Sequence, residues 1–263
     1  MLKFCSLYSG STGNSLLVQS DSTSILVDAG VSNKKIVEAL EKLEIPADSI
    51  SGVLVTHEHS DHIKGLGTFS KKYNIPVFAN IKTWQAMPVE REKIAFENQR
   101  IITFNSEFSI GDLTVVSFPI PHDAACPCGY NILNSGKKIS IATDIGHITA
   151  DMMPYLENSS FALLESNYDT EVLRYSSYPA SLKARISGPN GHLSNSTCGK
   201  LIGHLMETGL SSVMLGHLSK ENNFPELAYE TVLEELHNSN VDSSKIDVMV
   251  ANRDYPSKFI SIL

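Results

Sequence analysis

Between residues 57 and 62 the chain reads His57-Glu58-His59-Ser60-Asp61-His62, three imidazoles and two carboxylates in one short segment. Imidazole and carboxylate are the usual ligands of Zn²⁺, Mn²⁺ and Fe²⁺. His57 and His59 are two apart, so an extended segment turns both to the same side. Asp61 and His62 fall where the chain turns towards a helix, and can face a second ion beside the first. Two close ions lower the pKa of a shared water towards neutrality and supply hydroxide, so the chemistry expected of this segment is hydrolysis. An exposed polar loop is the bland alternative, but titratable groups this dense are an odd way to build structure.

The segment needs a rigid base, and the flanking pattern supplies one. Gly52-Val53-Leu54-Val55-Thr56 is a strand of the buried type that runs directly into it, and Ile63 to Tyr73 reads as the helix that follows. A loop at a strand's end lets ligands converge without disturbing the sheet. Upstream, residues 2–8, 15–18 and 24–28 are short apolar runs separated by turn residues, which reads as an antiparallel meander. From Ser32 the period changes. Ile36, Val37, Leu40 and Leu43 are helically spaced, with Ser32 or Asn33 able to cap the start. A further strand is expected near 76–79. Residues 100–142 read as strands at 100–104, 108–110, 113–118, 129–133 and 138–142, with Ser135-Gly136 as a hairpin turn between the last two. Helical patterns return at 152–157, 180–186, 197–206 and 226–236, alternating with strands at 161–164, 212–215, 246–250 and 258–262. This order suits an α/β fold with two stacked sheets and outer helices, in one domain over residues 1–263. The periodicity supports α/β; the layering does not follow from it alone.

Composition bounds the function. With 263 residues, 42% hydrophobic and 19% charged, the chain has ample material for a core. No run approaches the ~20 apolar residues of a membrane helix. The N-terminus lacks an apolar stretch behind a basic head, so no secretory signal is expected and the protein reads as cytoplasmic. Four cysteines, Cys5, Cys126, Cys128 and Cys198, fit a reducing compartment. Cys126-Pro127-Cys128 has the spacing of neither a redox motif nor a zinc ribbon, and reads as two loop thiols. The net charge of −8 argues mildly against tight, sequence-independent binding of long nucleic acid, so any basic face must be local. Lys34-Lys35, Lys71-Lys72 and the Lys183/Arg185 pair are its candidates.

H-x-H-x-D-H after a strand resembles the signature of the metallo-β-lactamase superfamily, and the likeness runs along the chain. Asp28 before Ala29-Gly30, His122 in Phe118-Pro119-Ile120-Pro121-His122, Asp144 in Ala142-Thr143-Asp144 and His217 in Leu215-Gly216-His217 each follow an apolar strand, as that family's site residues do. The resemblance implies a four-layer αββα sandwich, with two mostly antiparallel or mixed sheets face to face. It also implies two divalent metal ions (Zn, Mn or Fe) per chain. One would be held by His57, His59 and His122, the other by Asp61, His62 and His217, with Asp144 between them. Asp28 is expected to orient the 57–62 loop by hydrogen bonding. His147 and His204 fit no ligand position and read as structural.

Four further stretches narrow the resemblance. Residues 9–15 read S-G-S-T-G-N-S, 165–169 E-S-N-Y-D, 188–195 G-P-N-G-H-L-S-N, and 216–227 G-H-L-S-K-E-N-N-F-P-E-L. Together they resemble the bacterial YycJ-like (WalJ-like) branch, which is linked to 5′–3′ DNA exonuclease activity. Tyr168 stands where that branch has a histidine, which leaves the role of this position open. The implied reaction is in-line attack by a metal-bridging hydroxide on a nucleic-acid phosphate, DNA before RNA. Catalysis is assigned to Asp61 and to His192, the latter contacting the scissile phosphate or protonating the leaving oxygen. His192 precedes a helix starting near Ser194 whose free N–H groups favour an anion; a hydrogen-bonded loop residue is its other reading. Ser11, Thr12, Asn14, Asn167 and Ser194 are candidate substrate contacts, although Gly10, Gly13 and Asn14 also suit a tight turn. The rival activity is hydrolysis of a small ester, lactone, thioester or cyclic phosphodiester by the same metals. A purely structural metal site would close its coordination rather than gather seven ligands.

Overall fold

A computed structural model describes residues 1–262, so only the last residue of the expected 1–263 domain lies outside it. The first half contains β1 (Leu2–Tyr8), β2 (Ser15–Gln19), β3 (Ser24–Val27), α1 (Asn33–Lys42), β4 (Ile50–Leu54), α2 (Ser60–Ile63), α3 (Leu66–Tyr73), β5 (Val77–Asn80), α4 (Ile81–Ala86), α5 (Pro88–Lys93) and β6 (Gln99–Ile102). Next come β7 (Glu107–Ile110), β8 (Leu113–Pro119), β9 (Cys128–Asn134), β10 (Lys137–Ala142), α6 (Met153–Leu156), β11 (Phe161–Glu165), α7 (Thr170–Tyr175) and α8 (Ala180–Ile186). The chain finishes with α9 (Asn195–Glu207), β12 (Ser212–Gly216), α10 (Pro225–Asn238), β13 (Asp247–Val250) and β14 (Ile260–Ile262). Among the described residues no helix is long and apolar enough to cross a membrane.

Two seven-stranded sheets result, ordered β14-β1-β2-β3-β4-β5-β6 and β13-β12-β11-β10-β9-β8-β7. In each, an antiparallel meander passes into parallel strands. The change falls at the β3–β4 pair in the first sheet and the β10–β11 pair in the second. Side-chain alternation then builds the layers. Phe4 pairs with Val18 and Val18 with Ile25, so all three share the face turned to the second sheet. The intervening Cys5, Leu17 and Leu26 point the other way, onto Ile36 and Leu40 of α1, Leu66 and Phe69 of α3 and Trp84 of α4. In the second sheet Phe161 and Leu163 face inward, while Ala162 and Leu164 meet Ile202 and Leu205 of α9 and Val232 of α10. Three apolar cores between four layers make the αββα sandwich that the family resemblance implies. Each fully buried Leu, Ile or Val stabilises it by about 1.5–3 kcal/mol.

The observed elements depart from the sequence reading in definable ways. The single helix expected over 63–73 is two, because the Gly65 amide bonds to Ala29 O at 2.8 Å instead of continuing the helix. A Cβ there would lie 2.2 Å from Val31 O. Three short helices, α4, α5 and α7, were not expected, although Pro88 at the first turn of α5 and Asp169 capping α7 are start signals. Cys128 is not a loop thiol: it opens β9, is buried, and points its Sγ at Thr56 O, 3.3 Å away. All four cysteines are free. Ser135 and Gly136 form the expected hairpin turn, with φ of 50° and 76°.

Candidate metal centre

The site gathers where the strands end. In α/β sheets the loops beyond the carboxyl ends of parallel strands surround a natural crevice. Asp28 follows β3, residues 57–62 follow β4, Asp144 follows β10, Glu165 closes β11 and His217 follows β12. Asp28, Asp144 and His217 all adopt left-handed backbone, with φ of 62°, 60° and 55°. Such conformations cost on the order of 1 kcal/mol for a residue other than glycine. They turn each functional side chain sharply at its strand's end.

One buried carboxylate organises the first region. Asp28 accepts from the Thr56 amide (2.9 Å), the Thr56 hydroxyl (2.8 Å) and His62 Nδ1 (2.7 Å). The Thr56 oxygen in turn accepts from His57 Nδ1 at 3.0 Å. Both rings thereby carry their proton on Nδ1 and turn Nε2 into the crevice. The 57–62 loop also lies against Gly30, where a Cβ would come within 1.6 Å of Asp61 O, so only glycine fits.

A second buried carboxylate, Glu165, organises the opposite wall. It accepts from His192 Nδ1 and His217 Nδ1, both at 2.8 Å, and from the amides of Ile145 (2.6 Å) and Leu193 (3.1 Å). The first residue of E-S-N-Y-D thus fixes two histidines and the Asp144 loop, a role the sequence reading did not assign. Its signal was a carboxylate closing an otherwise wholly apolar strand. His122 is oriented separately, Nδ1 donating to Gly191 O at 3.0 Å.

These constraints bring the seven expected ligands together. His57, His59 and His122 form one group and Asp61, His62 and His217 another, each with donor atoms close enough to share an ion. Asp144 lies between them, Oδ1 3.6 Å from His122 Nε2 and Oδ2 3.3 Å from His62 Nε2. Four buried atoms here have no hydrogen-bond partner in the protein: His57 Nε2, His122 Nε2, His217 Nε2 and Asp144 Oδ2. Burying such atoms unpaired is costly, and their convergence fits divalent cations.

Protonation separates the two groups. Burial, and then the neighbouring histidines, push His57 well below its usual range; burial likewise lowers His122. Both are neutral and ready to coordinate. Burial opposes charge on His62 too, yet Asp144 and Asp28 outweigh it and lift the pKa to about 9. For His217, burial is likewise outweighed by Asp144, Asp61 and Glu165. Asp61 and Glu165 stay ionised: burial raises each, but the facing histidines more than offset it. A cation held by Asp61, His62 and His217 would have to displace protons. Asn14 Nδ2 sits 3.2 Å from His62 Nε2, the nitrogen that an ion would occupy.

The remaining candidates divide. His192 reaches the site, with its side chain 22% exposed beside a cavity of about 140 Å³ lined also by Asp123, Arg185 and Gly191. The helix after it does not supply the expected set of free amides. Asn195 N already donates to Tyr168 O and Thr197 N to Ser194 Oγ. Ser194 is buried as the cap of α9. Asn167 is buried and holds His217 O at 2.7 Å, and Asn14 accepts from the Gly10 amide at 2.9 Å. Ser11 and Thr12 stand exposed on a turn closed by Gly13 N to Gly10 O. Tyr168 is largely buried against the Ser194 backbone. His147 bonds Pro189 O at the surface, and His204 lies near Glu157.

The chain resembles known proteins over most of its length. The model of the beta-lactamase superfamily domain matches residues 23–217. The exodeoxyribonuclease YycJ of Bacillus anthracis is 40% identical over 231 residues, 88% of either chain. The exodeoxyribonuclease WalJ of Streptococcus pneumoniae is 38% identical over 236 residues, 89% of this chain and 88% of its own. Among solved structures, the metallo-β-lactamase fold protein YhfI from Bacillus subtilis superposes with a TM-score of 0.71. It is 16% identical and covers 98% of this chain and all of its own, a likeness of fold. The chain belongs to the metallo-β-lactamase superfamily, in the branch that contains the YycJ and WalJ proteins.

Proposed function

We propose that the protein is a dinuclear metal-dependent hydrolase of DNA phosphodiester bonds, a 5′–3′ exonuclease. The observation that carries the hydrolytic reading is the convergence of four unpartnered buried donor atoms with Asp144 between two histidine groups. The preference for DNA rests on the likeness to the two exodeoxyribonucleases. His57, His59 and His122 would hold one ion, and Asp61, His62 and His217 the other, with Asp144 serving both; Zn²⁺, Mn²⁺ and Fe²⁺ all suit such ligands. Bound there, the ions supply Lewis-acid charge and acidify water.

The protein's own groups do the rest. Asp28 through Thr56, and Glu165 directly, lock the imidazoles before substrate arrives, so no reorganisation is needed during reaction. His192 donates a hydrogen bond from Nδ1 to Glu165 and keeps Nε2 for the substrate. Burial works against its charge, but Glu165 and then Asp144 prevail and raise its pKa. A cationic His192 can steady a phosphate oxygen and donate its Nε2 proton to the leaving alkoxide. Four free cysteines support a cytoplasmic location.

The test is an assay with Mn²⁺ and with Zn²⁺ on end-labelled duplex DNA, beside bis-p-nitrophenyl phosphate, with an Asp61→Ala/His62→Ala variant as control. Stepwise loss of nucleotides from the 5′ end, absent in the variant, is expected. Cleavage of the small diester alone would redirect the assignment to small phosphodiesters. Inactivity on both, with metals bound, would redirect it to esters or thioesters.

A further inference from the structure

Arg253 stands just past β13, the outermost of four neighbouring parallel strands, β10 to β13. The inner three lead to Asp144, Glu165 and His217, so Arg253 occupies the next position along the same rim. Its Nη2 donates to Leu218 O at 3.2 Å, one residue beyond His217. The guanidinium also rests against Gly10, with Nη1 3.3 Å from where a Cβ would lie. The segment is fixed in place: Ser9 N donates to Asn252 O, and Ser9 Oγ accepts from the His217 amide.

Arg174 and Arg185 each reach a carboxylate, whereas Arg91, Arg100 and Arg253 pair with none among the described residues. Arg253 differs from the other two in lying at the rim of the metal centre and in the state of its guanidinium. Its Nη1 is buried and has no hydrogen-bond partner among those residues. A guanidinium is always charged, and its planar fork matches the oxygens of a phosphate. Retaining one unpaired beside a hydrolytic site, in a chain of net charge −8, points to an anionic ligand.

We propose that Arg253 binds a non-scissile phosphate of the DNA strand on the His217 side of the metal centre, and so selects polynucleotide over small diesters. This rests on the exonuclease reading, because a small diester has no second phosphate to reach it. The contact is electrostatic and sequence-independent, which suits a processing nuclease.

The experiment compares wild type, Arg253→Gln and Arg253→Lys in binding and in turnover. Binding of a short fluorescein-labelled duplex is followed by anisotropy over a salt series, in Ca²⁺ buffer. Arg253→Gln is expected to bind about tenfold more weakly and to lower the salt slope by about one, with Arg253→Lys recovering part of the loss. The ratio of kcat/KM on duplex DNA to that on bis-p-nitrophenyl phosphate should fall by about the same factor. Equal losses on both substrates, or unchanged duplex affinity, would overturn the proposal in favour of a purely structural arginine. Arg253-dependent binding without release of nucleotides would uphold the phosphate contact and reject the exonuclease reading. Intact nucleotide release by Arg253→Gln at wild-type affinity would do the reverse.

Discussion

The two walls of the metal centre are built on one plan from very different stretches of sequence. Each has a single buried carboxylate at a strand end that orients two histidines: Asp28 for His57 and His62, Glu165 for His192 and His217. On the first wall the oriented groups all lie between Thr56 and His62. On the second, the groups that Glu165 orients are spread from Ile145 through His192 and Leu193 to His217. A compact loop advertises its chemistry in sequence. A dispersed wall does so only once the strands are in register.

The comparison can be broken most severely by removing ligands from the compact loop. Asp61→Ala/His62→Ala should abolish activity and leave at most one metal ion per chain by elemental analysis. Retention of two ions would show that the dispersed wall suffices to hold both. Next in size, His192→Ala should lower turnover by roughly 10²–10⁴-fold, as loss of a positioned acid does, while both ions stay bound. Unchanged turnover would reduce His192 to a loop residue.

Exchanging the organising carboxylates tests whether the walls are equivalent. Asp28→Asn and Glu165→Gln should each cost about 10–100-fold in metal affinity or activity. Glu165→Gln should in addition move the alkaline limb of the pH–rate profile, set by deprotonation of His192, to lower pH, whereas Asp28→Asn should leave it in place. Identical profiles would mean that Glu165 only shapes the fold.

Protonation sharpens the contrast between the two ion groups. Raised pKa values at His62 and His217 are contributions present below the ordinary histidine range and lost as pH rises through about 9 for His62. Metal-free protein should therefore lose thermal stability between about pH 6.5 and 9. Because a cation must displace those protons, one of the two ions should bind more weakly as pH falls, and the other, on neutral His57 and His122, much less so. Titration calorimetry at several pH values would show two sites with unequal proton release; equal release would contradict the assignment. The smallest effect is expected at the exposed turn, where Ser11→Ala/Thr12→Ala should change DNA turnover within about twofold. A larger loss would restore these hydroxyls as substrate contacts.

Local sequence determined a great deal. The dense 57–62 motif, the apolar strand ahead of it and the alternation that splits Phe4 and Val18 from Cys5 and Leu17 could be read directly, because each is a relation between neighbours in the chain. Outlying His122, Asp144 and His217 were reachable only through family resemblance, since a lone polar residue after a strand carries no information about its partners. What the tertiary structure alone decided is the hub role of Glu165, the break at Gly65 and the position of Arg253 beside Leu218. All three depend on contacts between distant segments, and a hydrogen bond across such a separation leaves no periodic trace in either segment.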